Sequence, residues 1–190
     1  MSDSDKKVPL EEAMEQVRIV GTRLALMHLA YARVLVEEHG REKGKDVIIK
    51  AMMEYGKLVG QRQKAGKQDL PWYGFHDKYV YQDEAFVDTR EQSSKDFDFS
   101  LYRVFGCILA KTFLEYGEPE LGALYCYVDA AKSMAADPSA KLIHTACEVR
   151  GDGFCTFDYL PTTEEERVDF QEKNPRWKNV DTILLMDEET

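Results

Sequence analysis

The stretch KLIHTACEV-RGDG-FCTFDYL, residues 141–160, constrains the fold more than any other part of the chain. Two runs with alternating apolar positions flank a Gly151-Asp152-Gly153 turn, which is the pattern of an antiparallel hairpin. Side chains alternate faces along a strand. Ile143, Thr145, Cys147 and Val149 share one face of the first strand; Cys155, Phe157 and Tyr159 share one face of the second. With the turn centred on Gly151, Cys147 stands opposite Cys155, at a Cβ separation of roughly 4.5–5.5 Å for directly opposed residues. His144 falls on the other face by strict alternation, and a β-bulge is needed to bring it round.

Helical periodicity dominates the chain before this hairpin. From Leu10 to about His39, Val17, Val20, Leu24, Met27, Leu29, Tyr31, Val34 and Leu35 recur at helical spacing, which predicts one buried face, and Gly40 marks the stop. A second helix is expected from about Lys45 to Ala65, weakened locally by Gly56 and Gly60. Residues 67–85 are irregular and aromatic, and Trp72, Tyr73, Phe75 and His76 are candidates for the wall or lid of a ligand pocket. Two strands are expected at 85–91 and 96–104, and a helix at 106–117. A further helix enters at Pro119 and runs to about Ala136.

The resulting order is helix-helix-strand-strand-helix-helix-strand-strand. It predicts an α+β domain, an antiparallel sheet with helices packed on it. The single domain spans 9–160, after a disordered leader at 1–8. Residues 161–190 form an acidic C-terminal extension whose late apolar patch, Ile183 to Met186, suits an edge strand or a docking segment.

Charge narrows the function. The net charge is −10, and Glu164, Glu165, Glu166, Asp187, Glu188 and Glu189 concentrate acid near the C-terminus, which argues against nucleic acid as a partner. No run approaches the ~20 consecutive apolar residues of a bilayer span, and the N-terminus has no apolar signal core. The chain reads as cytoplasmic with no membrane role. The long amphipathic N-terminal helices suit a homodimer interface.

There are four cysteines, Cys107, Cys126, Cys147 and Cys155. In a chain of this length without a secretion signal they read as buried, catalytic or metal-bound before disulfide-bonded. The hairpin pair admits three states: two buried free thiols, a disulfide, or part of a metal site. For zinc, Cys126 on the preceding helix and His144 are the nearest further donors, which gives the set Cys126, His144, Cys147 and Cys155. Cys126 and Asp129 lie three apart on one helix face. A carboxylate alone does not activate a thiol, so a catalytic Cys126 also needs a base or cation, with His144 or His76 as the candidates.

The run from Phe105 to Tyr159 resembles the L-2-amino-thiazoline-4-carboxylic acid hydrolase family. The residues that carry the likeness are a Cys opening a helix that ends in EYGEPEL, then Cys126-Tyr127-Val128-Asp129, then Gly151-Asp152-Gly153-Phe154-Cys155-Thr156-Phe157. The resemblance implies hydrolysis of a cyclic carbon–nitrogen bond in a small heterocyclic acid. The matching positions that carry chemistry are Cys107, Cys126, Asp129 and Cys155. Cys107 sits in the apolar run GCILA and reads as core, leaving Cys126, Asp129 and Cys155 as catalytic candidates.

The hairpin also resembles the end of the 4-vinyl-reductase type of small-molecule-binding domain. Some of those domains hold zinc through cysteines and an acidic residue three positions before a Cys-x7-Cys pair. Here His144 stands at that position, before Cys147 and Cys155. The rival to an enzyme is thus a binding or sensor domain for a small molecule, with a structural zinc.

Overall fold

A computed structural model describes residues 7–66, 75–81, 86–87 and 99–186 of the chain. Most of the expected leader, Trp72 and Tyr73 lie outside the described residues. Two long helices come first, α1 (Leu10–His39) and α2 (Arg41–Lys64). The second begins four residues earlier than its sequence pattern suggests, because Gly40 alone makes the turn. Its φ of 77° is in the left-handed region, its N–H closes α1 on Val36 O at 2.9 Å, and its carbonyl accepts from Gly44 N at 2.8 Å.

The buried stripe of α1 corrects the sequence reading. It consists of Gly21, Ala25, His28, Leu29 and Ala32, whereas Val20, Met27, Tyr31 and Val34 are exposed. Small residues win the inward face because α1 packs closely on α2 and α3. By length and composition α1 could also cross a membrane, with a mean hydropathy of 1.4 over its most apolar 18-residue window. The expectation of no bilayer-length apolar stretch is corrected to that extent; a core helix passes the same test.

The glycines of α2 are contact points. A Cβ on Gly56 would lie 2.3 Å from Ala131 Cβ, and one on Gly60 would lie 2.3 Å from Lys132 O. Four residues apart, the two share one helix face. Their missing side chains let helix α5 (Tyr127–Ala136) lie directly on α2. This close approach fixes the helix that carries Asp129 and Lys132.

The strands are β1 (Lys78–Tyr81), β2 (Phe86–Val87), β3 (Tyr102–Phe105), β4 (Ala140–Ala146) and β5 (Thr156–Pro161). They pair antiparallel as β2-β1-β3 and β4-β5. Val104 and Cys155 join the two groups by reciprocal N–H···O bonds of 2.8 Å. The fold is α+β as expected, with helices packed on antiparallel strands. Local differences remain. β1 lies in the stretch read as an irregular loop, β3 begins at Tyr102, and Phe99–Leu101 is a 3₁₀ turn.

Helix α3 (Ile108–Glu115) agrees with the sequence. The helix expected from Pro119 to Ala136 is instead broken into α4 (Pro119–Ala123), a 3₁₀ turn (Leu124–Cys126) and α5. The break falls on Cys126. Beyond the hairpin, α6 (Glu164–Glu172) starts at a Thr163/Glu166 capping box. A 3₁₀ segment, Pro175–Leu184, then returns across the domain and buries Trp177, Val180, Asp181 and Leu184. Ile183 to Met186 form no strand among the described residues. These C-terminal side chains join the same apolar core as Leu29, Met53, Val104, Phe113 and Leu142.

Candidate active site

The site forms where α5, the β4 bulge and the C-terminal segment meet. The β4-β5 ladder runs regularly from Ala140↔Pro161 to His144↔Phe157, then slips by one residue to Ala146↔Thr156. Thr145 is the extra residue of a bulge. The slip restores the register in which Cys147 stands beside Cys155, and the two thiols are hydrogen-bonded. It also turns His144 to their side, as the sequence required.

His144 is 2% exposed. Its Nδ1 lies 2.8 Å from Asp181 Oδ2, and its backbone N–H donates to the same oxygen at 2.9 Å. Its Nε2 lies 3.6 Å from Asp129 Oδ2. Burial works against the imidazolium, but the bond to Asp181 and the charge of Asp129 outweigh it, so the His144 pKa is raised. Burial likewise opposes the Asp129 carboxylate. Lys132, one turn further along α5 and ion-paired to it, together with His144 and His76, holds its pKa below the usual range.

Cys126 caps this arrangement from the 3₁₀ turn. Ligand atoms of Cys126, His144 and Cys147 all lie within 4.8 Å of one another. The Cys126 thiol is hydrogen-bonded to Cys147, which favours its thiolate, but burial and the charge of Asp129 leave its pKa raised. The bond to Cys126 pushes the Cys147 thiol up. The bond to Cys147 and burial push Cys155 up as well, and its sulfur accepts from Glu148 N–H at 3.2 Å.

Burial pushes the Cys107 thiol up to about 12. It sits at the start of α3, where Glu148 accepts from the Gly106 and Cys107 N–H groups at 3.1 and 2.8 Å. All four cysteines are free.

The structure therefore brings together Cys126, Asp129, His144 and Cys147, with Cys155 one thiol contact further out. His76 reaches the group through the charge of Asp129, and burial lowers its pKa to about 4. Phe75 packs on the core beside α1 and α3, against the positions of Gly21 and Ile108. Asp181 and Lys132 are members that the sequence reading missed. Lys132 was available from its i+3 spacing to Asp129. The signal for Asp181 is a lone carboxylate inside the apolar run NVDTILLM.

A chain that folds this way can move a proton at His144 Nε2, offer a thiol beside it, or hold a soft cation among two sulfurs and an imidazole. No curated protein and no solved structure is similar enough to be matched. The model of the family described as L-2-amino-thiazoline-4-carboxylic acid hydrolase matches residues 21–159. That match runs from the middle of α1 through α2 and α5 to all but the last two residues of β5, and the chain belongs to the L-2-amino-thiazoline-4-carboxylic acid hydrolase family.

Proposed function

We propose that this protein hydrolyses a cyclic carbon–nitrogen bond in a small heterocyclic acid, with 2-aminothiazoline-4-carboxylates as the substrate class. One observation carries the reading. In a chain of this family, a buried imidazole is backed by a carboxylate at 2.8 Å, a second carboxylate stands at its other nitrogen, and the Cys126 and Cys147 sulfurs lie within 4.8 Å of a ring nitrogen.

The reacting carbon of such a ring is an amidine carbon, bonded to sulfur, the ring nitrogen and an exocyclic nitrogen. Cys126 is the nucleophile. Its raised pKa makes the thiol the resting form, so a base must take the proton as the sulfur–carbon bond forms. His144 Nε2 takes it, and Asp129 and Asp181 stabilise the imidazolium. The ring carbon–nitrogen bond breaks, and the leaving nitrogen receives the proton from His144. Water then adds to the enzyme-bound carbon, His144 accepts its proton, and Cys126 departs and is reprotonated. The balance is one water added and one ring opened, with an S-carbamoyl group and a free amine in the product.

A second reading rests on the same donors. Cys126, Cys147 and His144 suit zinc: two sulfurs and an imidazole converge, and the ring's other nitrogen is engaged by a buried carboxylate, the usual support of a metal-bound histidine. Zinc with three protein ligands would supply an acidified water. Cys155 contacts Cys147 from outside the group of three and is the natural fourth ligand of a purely structural site, the arrangement a small-molecule-binding domain would use.

Mass spectrometry of products from 2-amino-2-thiazoline-4-carboxylate tests these readings, alongside the metal content of the untagged protein. Ring opening with a mass gain of one water is expected. Cys126→Ala and His144→Gln should fall by at least about 100-fold, and Cys147→Ser should stay active. Activity that disappears on chelation and returns with zinc moves the chemistry to the metal. A folded protein that binds apolar small molecules and never opens the ring overturns the hydrolase in favour of the binding module.

A further inference from the structure

Asp181 stands outside everything the family match covers. It lies in the 3₁₀ segment Pro175–Leu184, whereas the match ends at residue 159. Yet it is 1% exposed, and its Oδ2 receives both polar contacts that the His144 residue directs toward it, the backbone N–H at 2.9 Å and ring Nδ1 at 2.8 Å. Oδ1 has no hydrogen-bond partner among the described residues. A buried carboxylate left half satisfied is costly, which makes its retention as a mere packing residue a poor use of the position.

The backbone explains how it gets there. Asp181 breaks the 3₁₀ helix with φ −137° and ψ 83°. The segment is fastened on both sides of it. Trp177 packs on Tyr127 and Phe170 with ring centroids 5.8 and 5.3 Å apart. The Tyr127 hydroxyl donates to Lys178 O at 2.7 Å. The Arg150 guanidinium donates to Ile183 O. Tyr127 follows Cys126 directly in the chain, and Arg150 lies three residues beyond the hairpin cysteine Cys147. The segment thus ties together the two elements that present the thiols.

We infer that Asp181 is the positioning residue of the site: it fixes His144 in the tautomer that carries its proton on Nδ1 and leaves Nε2 bare on the side of Asp129. The chemistry follows from the donors. The amide N–H of His144 can only donate, so Asp181 Oδ2 acts as an acceptor there. A ring nitrogen 2.8 Å from that same carboxylate oxygen must also donate. In a neutral imidazole the other nitrogen is then an acceptor. Because one oxygen holds both the backbone and the ring, it fixes the ring's direction at the bulge as well as its tautomer. The active site therefore includes a part of the chain beyond the matched family region. The use made of Nε2 rests on the hydrolase reading, but the tautomer does not.

The test is ¹⁵N NMR of histidine-labelled protein at a pH where the ring is neutral, together with steady-state kinetics. Wild-type His144 should show a protonated Nδ1 and a bare Nε2. Asp181→Ala should shift the population toward the Nε2–H tautomer and lower kcat about 10–100-fold, the usual effect of losing such a support, with KM little changed. Asp181→Asn keeps an accepting oxygen and the side-chain shape; it should keep the fold and the wild-type tautomer and recover part of the rate. Should the alanine variant fail to fold, Asp181→Leu, which keeps the volume and removes both accepting oxygens, takes its place with the same expected shift of tautomer. A proton on Nε2 in the wild type, or an alanine variant with unchanged tautomer and kcat, overturns the inference. Absence of ring opening in the wild type overturns the hydrolase while leaving the tautomer result standing.

Discussion

Asp129 Oδ2 lies 3.6 Å from His144 Nε2, on the opposite side of the ring from Asp181, so one buried imidazole is held between two carboxylates. That arrangement has a consequence for stability against pH. The His144 pKa is raised, so its contribution is complete below the unfolded value of about 6.5 and is lost as pH rises through the folded value. His76 behaves in the opposite sense. Its pKa is lowered to about 4, so its contribution is present above about 6.5 and is lost as pH falls toward 4. Thermal unfolding followed across pH 4 to 9 should separate them. His76→Gln should flatten the acid limb and His144→Gln the alkaline limb; identical profiles in both variants would contradict the assignment.

The α2–α5 contact should be intolerant of a single methyl group. A Cβ at Gly56 would meet Ala131 Cβ at 2.3 Å. Gly56→Ala gains roughly 1 kcal/mol of helix propensity, but overpacking of this kind costs about 1–3 kcal/mol and sometimes more. Net destabilisation in urea titrations is expected, with loss of activity, because the helix that moves carries Asp129 and Lys132. A more stable Gly56→Ala variant would show that the helices are free to separate.

Trp177 should prove to be the anchor of the C-terminal segment. It is 1% exposed, and its indole N–H has no partner among the described residues. Trp177→Ala should cost about 3–5 kcal/mol. Trp177→Phe, which removes the unpartnered N–H and keeps much of the apolar contact, should cost far less. Chemical denaturation of the two variants checks this, and equal losses would mean that the indole nitrogen has a role of its own.

Thiol reactivity should rank by exposure and pKa together. The Cys126 pKa is raised too, but Cys126 is half-buried and Cys147 favours its thiolate; Cys147 and Cys155 are buried and shifted upward, and Cys107, also half-buried, is pushed up to about 12. Iodoacetamide labelling read by peptide mass spectrometry should mark Cys126 first, by about tenfold or more over the other three. Preferential labelling of Cys107 would move the candidate nucleophile to the start of α3.

Much of the site was legible because it is local. The apposition of Cys147 with Cys155 follows from strand alternation around one turn, and the need for a bulge follows from the odd spacing between His144 and Cys147. The α1 face was misjudged because the larger apolar side chains suggest burial, while close helix packing selects Gly21, Ala25 and Ala32 instead. The 3₁₀ break at Leu124–Cys126 contains no glycine or proline to announce it. Strand β1 hides in an aromatic stretch whose short apolar pattern does not distinguish strand from loop. Asp181 was out of reach for a different reason: it meets His144 across 37 residues of chain, and no local period records a contact made by tertiary packing.

The bulge at Thr145 also changes how spacing should be counted. Along the chain His144 and Cys147 are three residues apart, but along the ladder they are two rungs apart, since Thr145 has no opposite number. A relative one residue shorter at this point would write the same pair as His-x-Cys and present it in the same direction. Motif searches that fix the interval would separate two such sequences, and an alignment that permits a single gap there would keep their imidazoles and sulfurs in one column.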